Sequence, residues 1–411
     1  MIEKPRIRTV EAFPIEQQEQ TYICLRDPTG LAPEPILLGM GAYFIVTLFD
    51  GSSDLRDIQG GFLRRFGENL PLDKLGDLIA TLDRGYFLDS PKFAERMNRV
   101  REDFRASPER SAIHAGACYA KDPAELTKEI EGFFAAPDGP GATNPKRQAG
   151  ELAGLIAPHI DPRRGAAAYA HAYGQLKAFE APELVIILGT SHYGGGPELF
   201  SATRKNYATP FGAVKTDRDF VDRLATRYRG GGDLFADELL HRNEHSIEFQ
   251  ALFLKWALGN RDFTMVPILV SSFHEMVAMG TQPVNDSRVA SFIDALGDEL
   301  AQDNRRALIV AGVDLAHVGR KFGDEFSVDE SIAERVKRED MALIEFIKRG
   351  DAGGFFAEIA KDRDARRICG LAPMYTQLEL LRGHRGRLLK YGIAMEPQTG
   401  SAVSFASLAI D

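Results

Sequence analysis

Residues 306–317 read RALIVAGVDLAH, an apolar run of strand length that ends in an aspartate and a histidine. Three similar runs occur earlier in the chain, at residues 152–158 (LAGLIAP), 183–191 (ELVIILGTS) and 263–272 (FTMVPILVSS). Near-continuous apolar strands are typical of a parallel sheet that is covered on both faces. The four runs therefore predict the centre of one buried sheet.

Helical stretches lie between these strands or follow them. They are AAAYAHAYGQLKAF (166–179), DRDFVDRLATRY (217–228), HSIEFQALFLKWAL (245–258), RVASFIDALGDEL (288–300) and APMYTQLELLRG (372–383). Asp122 and Pro123 indicate the start of a further helix. This alternation predicts an α/β fold with a mainly parallel central sheet flanked by helices. Sites in such sheets form at the carboxyl ends of the strands.

The composition limits the classes of function. A chain of 411 residues that is 44% hydrophobic can bury a large core, and its length favours two domains. A net charge of −9 provides no basic face for nucleic acid or an anionic membrane. No apolar run reaches the roughly 18 residues that span a bilayer, and the N-terminus resembles no secretory signal, so we expect a cytoplasmic protein.

The three cysteines are odd in number and widely separated along the chain. Cys24, Cys118 and Cys369 therefore do not form a recognisable disulfide framework. Each thiol is left for packing, metal binding or redox chemistry.

The N-terminal part of the chain, residues 1–92, is predicted to be a small winged-helix α+β domain. Two short strand-like runs precede a buried helix and two amphipathic helices, of which the first is capped by Asp54 and the second ends at Gly85. A strand-like YFL follows and would form a terminal hairpin. We expect a charged linker helix at 93–107 and a second domain at 108–411, with a surface loop rich in Gly and Pro at 135–150.

Histidines follow the first two strands of the second domain. His159 ends the strand in LIAPHIDPRRG (155–165), and His192 ends the strand in IILGTSHYGGG (186–196), where glycines permit close backbone approach. A lone histidine such as His159 is more often a structural residue than a ligand, and His192 taken alone is ambiguous in the same way. Because carboxyl ends of parallel strands meet at one edge, the two imidazoles are expected to converge, which suggests a metal.

Two further strings combine carboxylates with histidines. In IVAGVDLAHVG (309–319), a helical turn would bring Asp314 and His317 to one side, as a pair suited to orienting or protonating a bound ligand or as a structural salt bridge. In RNEHSIEFQ (242–250), Glu244 and Glu248 share a helix face, and His245 points about 100° away. The alternative there is a charged helix N-terminus favoured by the dipole.

The fifth string is RRICGLAPMY (366–375), in which Cys369 precedes a predicted helix. A helix N-terminus and a nearby cation both lower the pKa of a thiol, so this cysteine has a reason to be a thiolate. Taken alone, it is equally consistent with a small core residue.

In this order the five strings resemble the Memo family, called AmmeMemoRadiSam system protein B in prokaryotes. The resemblance extends from about Arg110 to the C-terminus and includes HAGACYAKD, VPILVSS and the closing SAVSFASLAI. It implies a fold similar to that of the LigB-type class III extradiol dioxygenases, which is an α/β domain with a non-haem metal in a surface cleft.

The resemblance also implies site residues. A mononuclear metal would be held by His159, His192 and Cys369. Asp314, His317 and His245 match neighbouring positions and would act as acid/base or substrate-orienting groups. Two imidazoles and a thiolate favour iron, with copper or zinc as alternatives, and three protein ligands leave an open position.

The function implied is a redox or oxygen-handling enzyme that acts with a radical-SAM protein and an AMMECR1-type protein. One alternative is a non-catalytic metal-binding or peptide-presenting adaptor. Another is an extradiol ring-cleaving dioxygenase, although Cys369 stands where such an enzyme has a carboxylate. The sequence also departs from the Memo pattern after the first histidine, where Arg163 and Arg164 would give the cleft an anion preference or lie on the solvated surface.

The N-terminal domain resembles the PqqD-like domains that recognise precursor peptides. The resemblance is carried by LFDGSSDLRDIQ (48–59) and LIATLDRGYFLD (78–89). It implies a peptide or protein that docks on a strand edge and a helix groove. A structural or dimerising appendage is the alternative, and DNA binding is disfavoured by the shortage of clustered basic side chains.

Overall fold

A computed structural model describes residues 2–17, 20–141, 150–193 and 198–411. The chain divides into two compact units, Met1–Ala106 and Ser107–Asp411. Within the described residues, no helix is both long enough and apolar enough to cross a membrane.

The described residues of the first unit form three strands followed by four helices. The elements are β1 (Glu11–Gln17), β2 (Gln20–Arg26), β3 (Ile36–Gly39), α1 (Met40–Thr47), α2 (Leu55–Phe66), α3 (Leu72–Arg84) and α4 (Pro91–Ala106). The strands form an antiparallel sheet in the order β1-β2-β3. Asp54 caps α2 by accepting from the backbone N–H groups of Arg56 and Asp57, as its sequence position predicts.

The strand-like run at 86–88 does not form the expected hairpin within the described residues. Leu88 makes an isolated bridge with Ile7 instead. Helix α4 begins at Pro91, so no chain remains between these two points for a return strand. The sheet of this unit therefore comes from segments that precede its helices.

The second unit is an α/β structure built on one large sheet. The strands of this unit are β4 (Glu109–Arg110), β5 (Gly154–Ala157), β6 (Leu184–Thr190), β7 (Phe200–Ala202), β8 (Asn206–Tyr207), β9 (Thr264–Val270), β10 (Ala307–Gly312), β11 (His317–Gly319), β12 (Gly386–Glu396) and β13 (Ser401–Ile410). Its α-helices are α5 (Pro123–Ala135), α6 (Ala166–Ala178), α7 (Arg218–Arg227), α8 (His245–Leu258), α9 (His274–Met279), α10 (Ser287–Gln302), α11 (Glu330–Arg349), α12 (Ala352–Ala360) and α13 (Leu371–Leu380). Short 3₁₀ helices occur at Glu238–Arg242, Pro283–Asn285 and Arg320–Phe322.

The large sheet has the order β11-β13-β5-β10-β6-β9-β7, with β12 paired to β13. The four apolar runs form β5, β10, β6 and β9, which are parallel to one another. On one side β7 pairs antiparallel with β9, and on the other β13 pairs antiparallel with β5 and with its own neighbours β11 and β12. The α/β class is thus confirmed, and the parallel strands occupy the centre of a mixed sheet.

Apolar side chains cover both faces of this sheet. In β6, Ile186 and Leu188 belong to the core that includes Phe292 of α10, whereas Val185 and Ile187 belong to the core that includes Phe253 of α8. Alternate residues of one strand enter two cores because successive side chains point to opposite faces. This explains why the central runs are apolar throughout.

Two predicted features fall largely outside the described residues. The loop expected at 135–150 includes residues 142–149, and the glycines that follow His192 are residues 194–196.

Candidate metal centre

The carboxyl ends of the parallel strands bring the predicted residues together. His159 follows β5, His192 follows β6 and Asp314 follows β10. His245 is the first residue of α8, and Cys369 immediately precedes Gly370, which is the N-cap of α13. Parallel neighbours end at one edge of the sheet, and the two helices begin there.

Three imidazoles form the centre of the cluster. The ring centroids are 4.8 Å apart for His159 and His192, 5.2 Å for His159 and His245, and 4.9 Å for His192 and His245. One nitrogen from each ring lies within 4.8 Å of the other two, which is compatible with a single metal ion. His159 is buried, whereas 27% of the His192 side chain and 24% of the His245 side chain are exposed. The cluster therefore reaches the protein surface on one side.

The Cys369 thiol joins these imidazoles. Its Sγ atom lies 3.4 Å from Nε2 of His159 and also accepts a hydrogen bond from His192. The hydroxyl of Thr190 donates to the Cys369 carbonyl at 3.2 Å, which ties the segment before α13 to the end of β6. Three nitrogens and one sulfur thus converge.

Each imidazole is oriented through its Nδ1 atom. Nδ1 of His159 lies 2.9 Å from the Gly312 carbonyl. Nδ1 of His192 and Nδ1 of His245 lie 3.0 Å and 3.2 Å from the same oxygen, Oε1 of Glu244. Because these partners are acceptors, each Nδ1 carries a proton, and Nε2 is the ring atom that could bind a metal once it is unprotonated.

Glu244 is a site residue to which the sequence analysis gave no specific role, beyond a helix face shared with Glu248. Its side chain is 1% exposed and accepts from the backbone N–H groups of His192 at 2.8 Å and His245 at 2.9 Å. It is also the N-cap of α8. An acidic N-cap directly before a histidine was the only signal available in the sequence.

Glu248 has different partners from Glu244, although the two are one helical turn apart. It forms a buried ion pair with Arg110 and accepts from the Tyr119 hydroxyl. It also accepts from the backbone N–H of His114, whose ring packs edge-on against His245 at 5.8 Å. His114 was assigned no role from the sequence, and it lies beside the cluster.

Asp314 contacts His159 directly. Its Oδ1 accepts from the backbone N–H of His159 at 3.1 Å, and its Oδ2 lies 3.6 Å from Nε2 of that residue. Burial raises the pKa of Asp314 to about 7, against the opposing effect of backbone hydrogen bonds from His159 and Ile160. The carboxyl group is thus able to hold a proton near neutral pH.

His317 is placed by a strand and not by the helical turn considered above. Residues 313–316 are not helical, because the N–H groups of Leu315 and Ala316 donate to the backbone and side-chain oxygens of Ser404 in β13. Nδ1 of His317 lies 3.1 Å from the Leu315 carbonyl. Burial, with a smaller contribution from the nearby His192, lowers the pKa of His317 to about 4. This imidazole is therefore neutral at pH 7.

The electrostatics of the cluster are set by burial and by Glu244. Burial lowers the pKa of His159, and His192 and His245 lower it further. Burial alone would also lower the pKa of His192, but Glu244 and Cys369 outweigh it and hold that pKa above its usual value. Burial raises the pKa of Cys369 despite the hydrogen bond from His192, so the helix start does not by itself produce the thiolate expected from the sequence.

The two arginines after His159 are already paired with carboxylates. Arg163 binds Glu129 at 2.6 Å, and Arg164 binds Glu396. Their charges are therefore partly neutralised, which weakens the case for an anion preference.

The fold and the cluster together define an α/β protein with a candidate mononuclear metal centre at the carboxyl edge of its sheet. The profile of Memo-like proteins matches residues 110–409. A MEMO1 family protein of Aquifex aeolicus is 30% identical over 98% of this chain and 99% of its own length. MEMO1 family proteins of Methanopyrus kandleri and Thermus thermophilus are 30% and 27% identical over 69% and 87% of this chain, and over 91% and 98% of their own lengths.

This chain belongs to the Memo family. The family profile begins at Arg110 and covers the second unit. The match to the Aquifex aeolicus protein also includes the first unit, since it covers nearly the whole chain.

Proposed function

We propose that this protein binds one metal ion through His159, His192 and Cys369, with iron as the first choice and copper or zinc as alternatives. The observation that carries the proposal is the orientation of the imidazoles. Both histidine Nδ1 atoms are bonded to acceptors, and Nε2 of His159 lies beside the thiol. Such outer hydrogen bonds fix the tautomer and raise the basicity of a ligating imidazole.

The donor set suits these metals. Imidazole nitrogens with a thiolate form a borderline-soft set that favours iron, copper or zinc over magnesium or calcium. Burial raises the pKa of Cys369 in the protein alone, so metal binding would have to release the thiol proton. Metal affinity is then expected to increase with pH.

Whether His245 binds the metal determines whether the centre has an open coordination position. Its ligand nitrogen lies in the same 4.8 Å cluster as those of His159 and His192. Three protein ligands leave a position for substrate, as in catalytic sites, whereas four close the shell, as in structural sites. Our proposal keeps His245 as a neighbour that orients substrate, and an open position follows from that assignment.

We assign redox or oxygen-handling chemistry to the open centre. A bound iron would supply electron transfer and a position for a small molecule. Asp314 would hold a proton beside His159, since burial raises its pKa to about 7. His317, neutral at pH 7, would accept one. A LigB-type ring cleavage is disfavoured, because Cys369 takes the place of the carboxylate that such enzymes use.

The first unit supports a role in binding a peptide or protein, which is also what an adaptor would need. Five large apolar side chains of this unit are exposed, namely Leu37, Met40, Leu63, Phe66 and Leu72. Leu37 lies in β3, an edge strand of the described sheet. An exposed strand edge with apolar side chains suits strand addition, as the PqqD-like resemblance implies. A radical-SAM protein and an AMMECR1-type protein remain the proposed partners, on the family resemblance alone.

Elemental analysis of protein purified without oxygen tests the metal assignment. We expect about one iron per chain, lost in His159→Ala, His192→Ala and Cys369→Ala. Cys24→Ala removes a thiol from the first unit and should keep the metal. Full metal content in Cys369→Ala would defeat the ligand set.

Two measurements then separate the enzyme from the adaptor. An enzyme of the proposed type consumes O₂ in a metal-dependent way when reductant is present, whereas an adaptor does not. His245→Ala should retain metal if the centre is open, and loss of the metal would identify His245 as a fourth ligand and favour the adaptor.

A further inference from the structure

A cavity of about 240 Å³ opens beside the candidate metal centre, and His192 and Cys369 form part of its wall. The cavity lies between the ends of β6 and β9, helix α9 and the segment that leads into α13. Nothing in the metal assignment uses this space. Its position next to two proposed ligands makes it the place where a substrate would meet the metal.

Much of the wall is apolar. Val270, Phe273, Val277, Leu371 and Ala372 line the cavity, and each is less than 5% exposed. A dry apolar cavity of roughly 150 Å³ is large enough to bind benzene. A cavity of about 240 Å³ therefore holds one ring with a substituent, or an aliphatic group of similar volume.

Two charged side chains of the wall have partners within the protein. The Arg367 guanidinium binds both oxygens of Asp324, at 2.8 and 3.2 Å, and also donates to the His317 carbonyl. The Asp364 carboxylate accepts from the backbone N–H of Ile368 at 2.8 Å. A charged ligand would lose part of its hydration here, and it would find the cations of the wall already paired, because His192 is bound to Glu244 and Arg367 to Asp324.

Among the described residues of the wall, one buried side-chain oxygen has no hydrogen-bond partner. Ser191 lines the cavity, and its Oγ is buried with no hydrogen-bond partner among the described residues. Buried hydroxyls nearly always have a partner, so this one is available to a ligand. Ser191 directly precedes His192, which places that hydrogen bond next to the proposed metal.

We infer that the cavity binds a small neutral molecule made of one ring-sized apolar body and one hydrogen-bonding head, with the head bonded to Ser191. This inference rests on the proposed function in one respect: the bound molecule would be the class of substrate on which the metal acts. The binding itself requires only the cavity. A free molecule and a side chain of a peptide share this chemistry, and the test distinguishes them.

The test is a saturation-transfer NMR titration of metal-free full-length protein with four compounds that share a ring. Benzyl alcohol should bind with a dissociation constant on the order of 1 mM, as expected for a ligand of this size. Toluene, which lacks the head, should bind about two- to tenfold more weakly. Benzoate and benzylamine, which are charged, should bind at least about tenfold more weakly.

Two variants locate the binding. Ser191→Ala should reduce benzyl alcohol to the affinity of toluene, whereas Ser201→Ala should change nothing, because the Ser201 hydroxyl is equally buried and unpaired but does not line this cavity. Val277→Phe fills the cavity from α9 and should abolish binding of both neutral compounds. N-acetyl-phenylalaninol, which carries the same ring on a peptide-like backbone, should bind as well as benzyl alcohol only if the natural source is a peptide.

Equal binding of the neutral and charged compounds, or benzyl alcohol binding that survives both Ser191→Ala and Val277→Phe, would overturn the inference. Because the protein is metal-free, these outcomes are independent of metal analysis. A selective cavity in a protein that never binds metal would leave this inference standing and refute the proposed function alone.

Discussion

Replacing Glu244 by Gln should weaken metal binding without removing any proposed ligand. The carboxylate accepts from Nδ1 of His192 and Nδ1 of His245 through one oxygen, and from the backbone of His192 through the other. Glutamine keeps the shape but removes the charge, and it presents an NH₂ group to donors. The two imidazoles would thereby keep a neutral acceptor in place of the charged one.

The magnitude follows from the two charge-assisted hydrogen bonds. Bonds to charged groups contribute about 1.5–3 kcal/mol, whereas neutral bonds contribute about 0.5–1.5 kcal/mol, so each bond loses about 1 kcal/mol. Two bonds give about 2 kcal/mol, or roughly a 30-fold loss of affinity. This value lies within the 10- to 100-fold range typical of groups that orient metal ligands.

Competition with a chelator under anaerobic conditions measures this affinity. Glu248→Gln is the matched control, because Glu248 is an equally buried carboxylate one turn further along α8 but pairs with Arg110. It should leave metal affinity within about threefold and lower stability instead. Wild-type affinity in a folded Glu244→Gln protein, together with lost binding in His192→Ala, would refute the orienting role of Glu244.

Two further predictions concern stability. Arg110→Met should cost about 3–5 kcal/mol in urea unfolding, because it leaves Glu248 buried without its cation, and the double variant with Glu248→Gln should cost less than the sum of the single variants; additive losses would show that the pair is not coupled. Burial raises the pKa of Asp364 to about 6 from its usual 3.8, so the folded protein binds more protons than the unfolded chain between these values and stability falls as pH rises through that range. Asparagine tolerates the local φ of 55°, so Asp364→Asn should keep the backbone unchanged. The free energy of unfolding should increase by about 1–2 kcal/mol at pH 7, after allowance for partial exposure, and by almost nothing at pH 4. An equal increase at both pH values would contradict this cause.

The centre of the fold could be predicted because burial on both faces leaves a plain signature. The four apolar runs form the four parallel strands, and a helix spans 245–258 as its pattern predicts. Strand β13 gives a weaker signal, since Ser401, Ser404 and Ser407 are buried in a strand although serine is usually exposed. Helix α11 carries the apolar spacing of an amphipathic helix at Val336, Leu343, Ile344 and Ile347, but it is not among the helices predicted from the sequence.

The candidate site likewise has one part that the sequence predicts and one part that it does not. Convergence of His159 and His192 follows from parallel strands that end at one edge, so sequence reasoning could reach it. The partners of their Nδ1 atoms could not be predicted, because the Gly312 carbonyl and the Glu244 carboxylate come from elements distant in sequence. Orientation of a side chain depends on tertiary contacts that no local pattern records.

The second half of the site depends on the antiparallel edge of the sheet and on one buried carboxylate. Asp340 of α11 is fully buried and binds Arg366 through one oxygen and Ser404 through the other, at 2.6 Å. Ser404 in turn accepts from the backbone of residues 315 and 316, and the Arg366 carbonyl accepts from the backbone N–H of His317 at 2.7 Å. One carboxylate therefore holds both the strand that carries His317 and the segment that leads to Cys369. The parallel strands position the two histidines proposed as ligands, and this network positions the thiol relative to them, so the geometry of the candidate centre requires both parts of the mixed sheet.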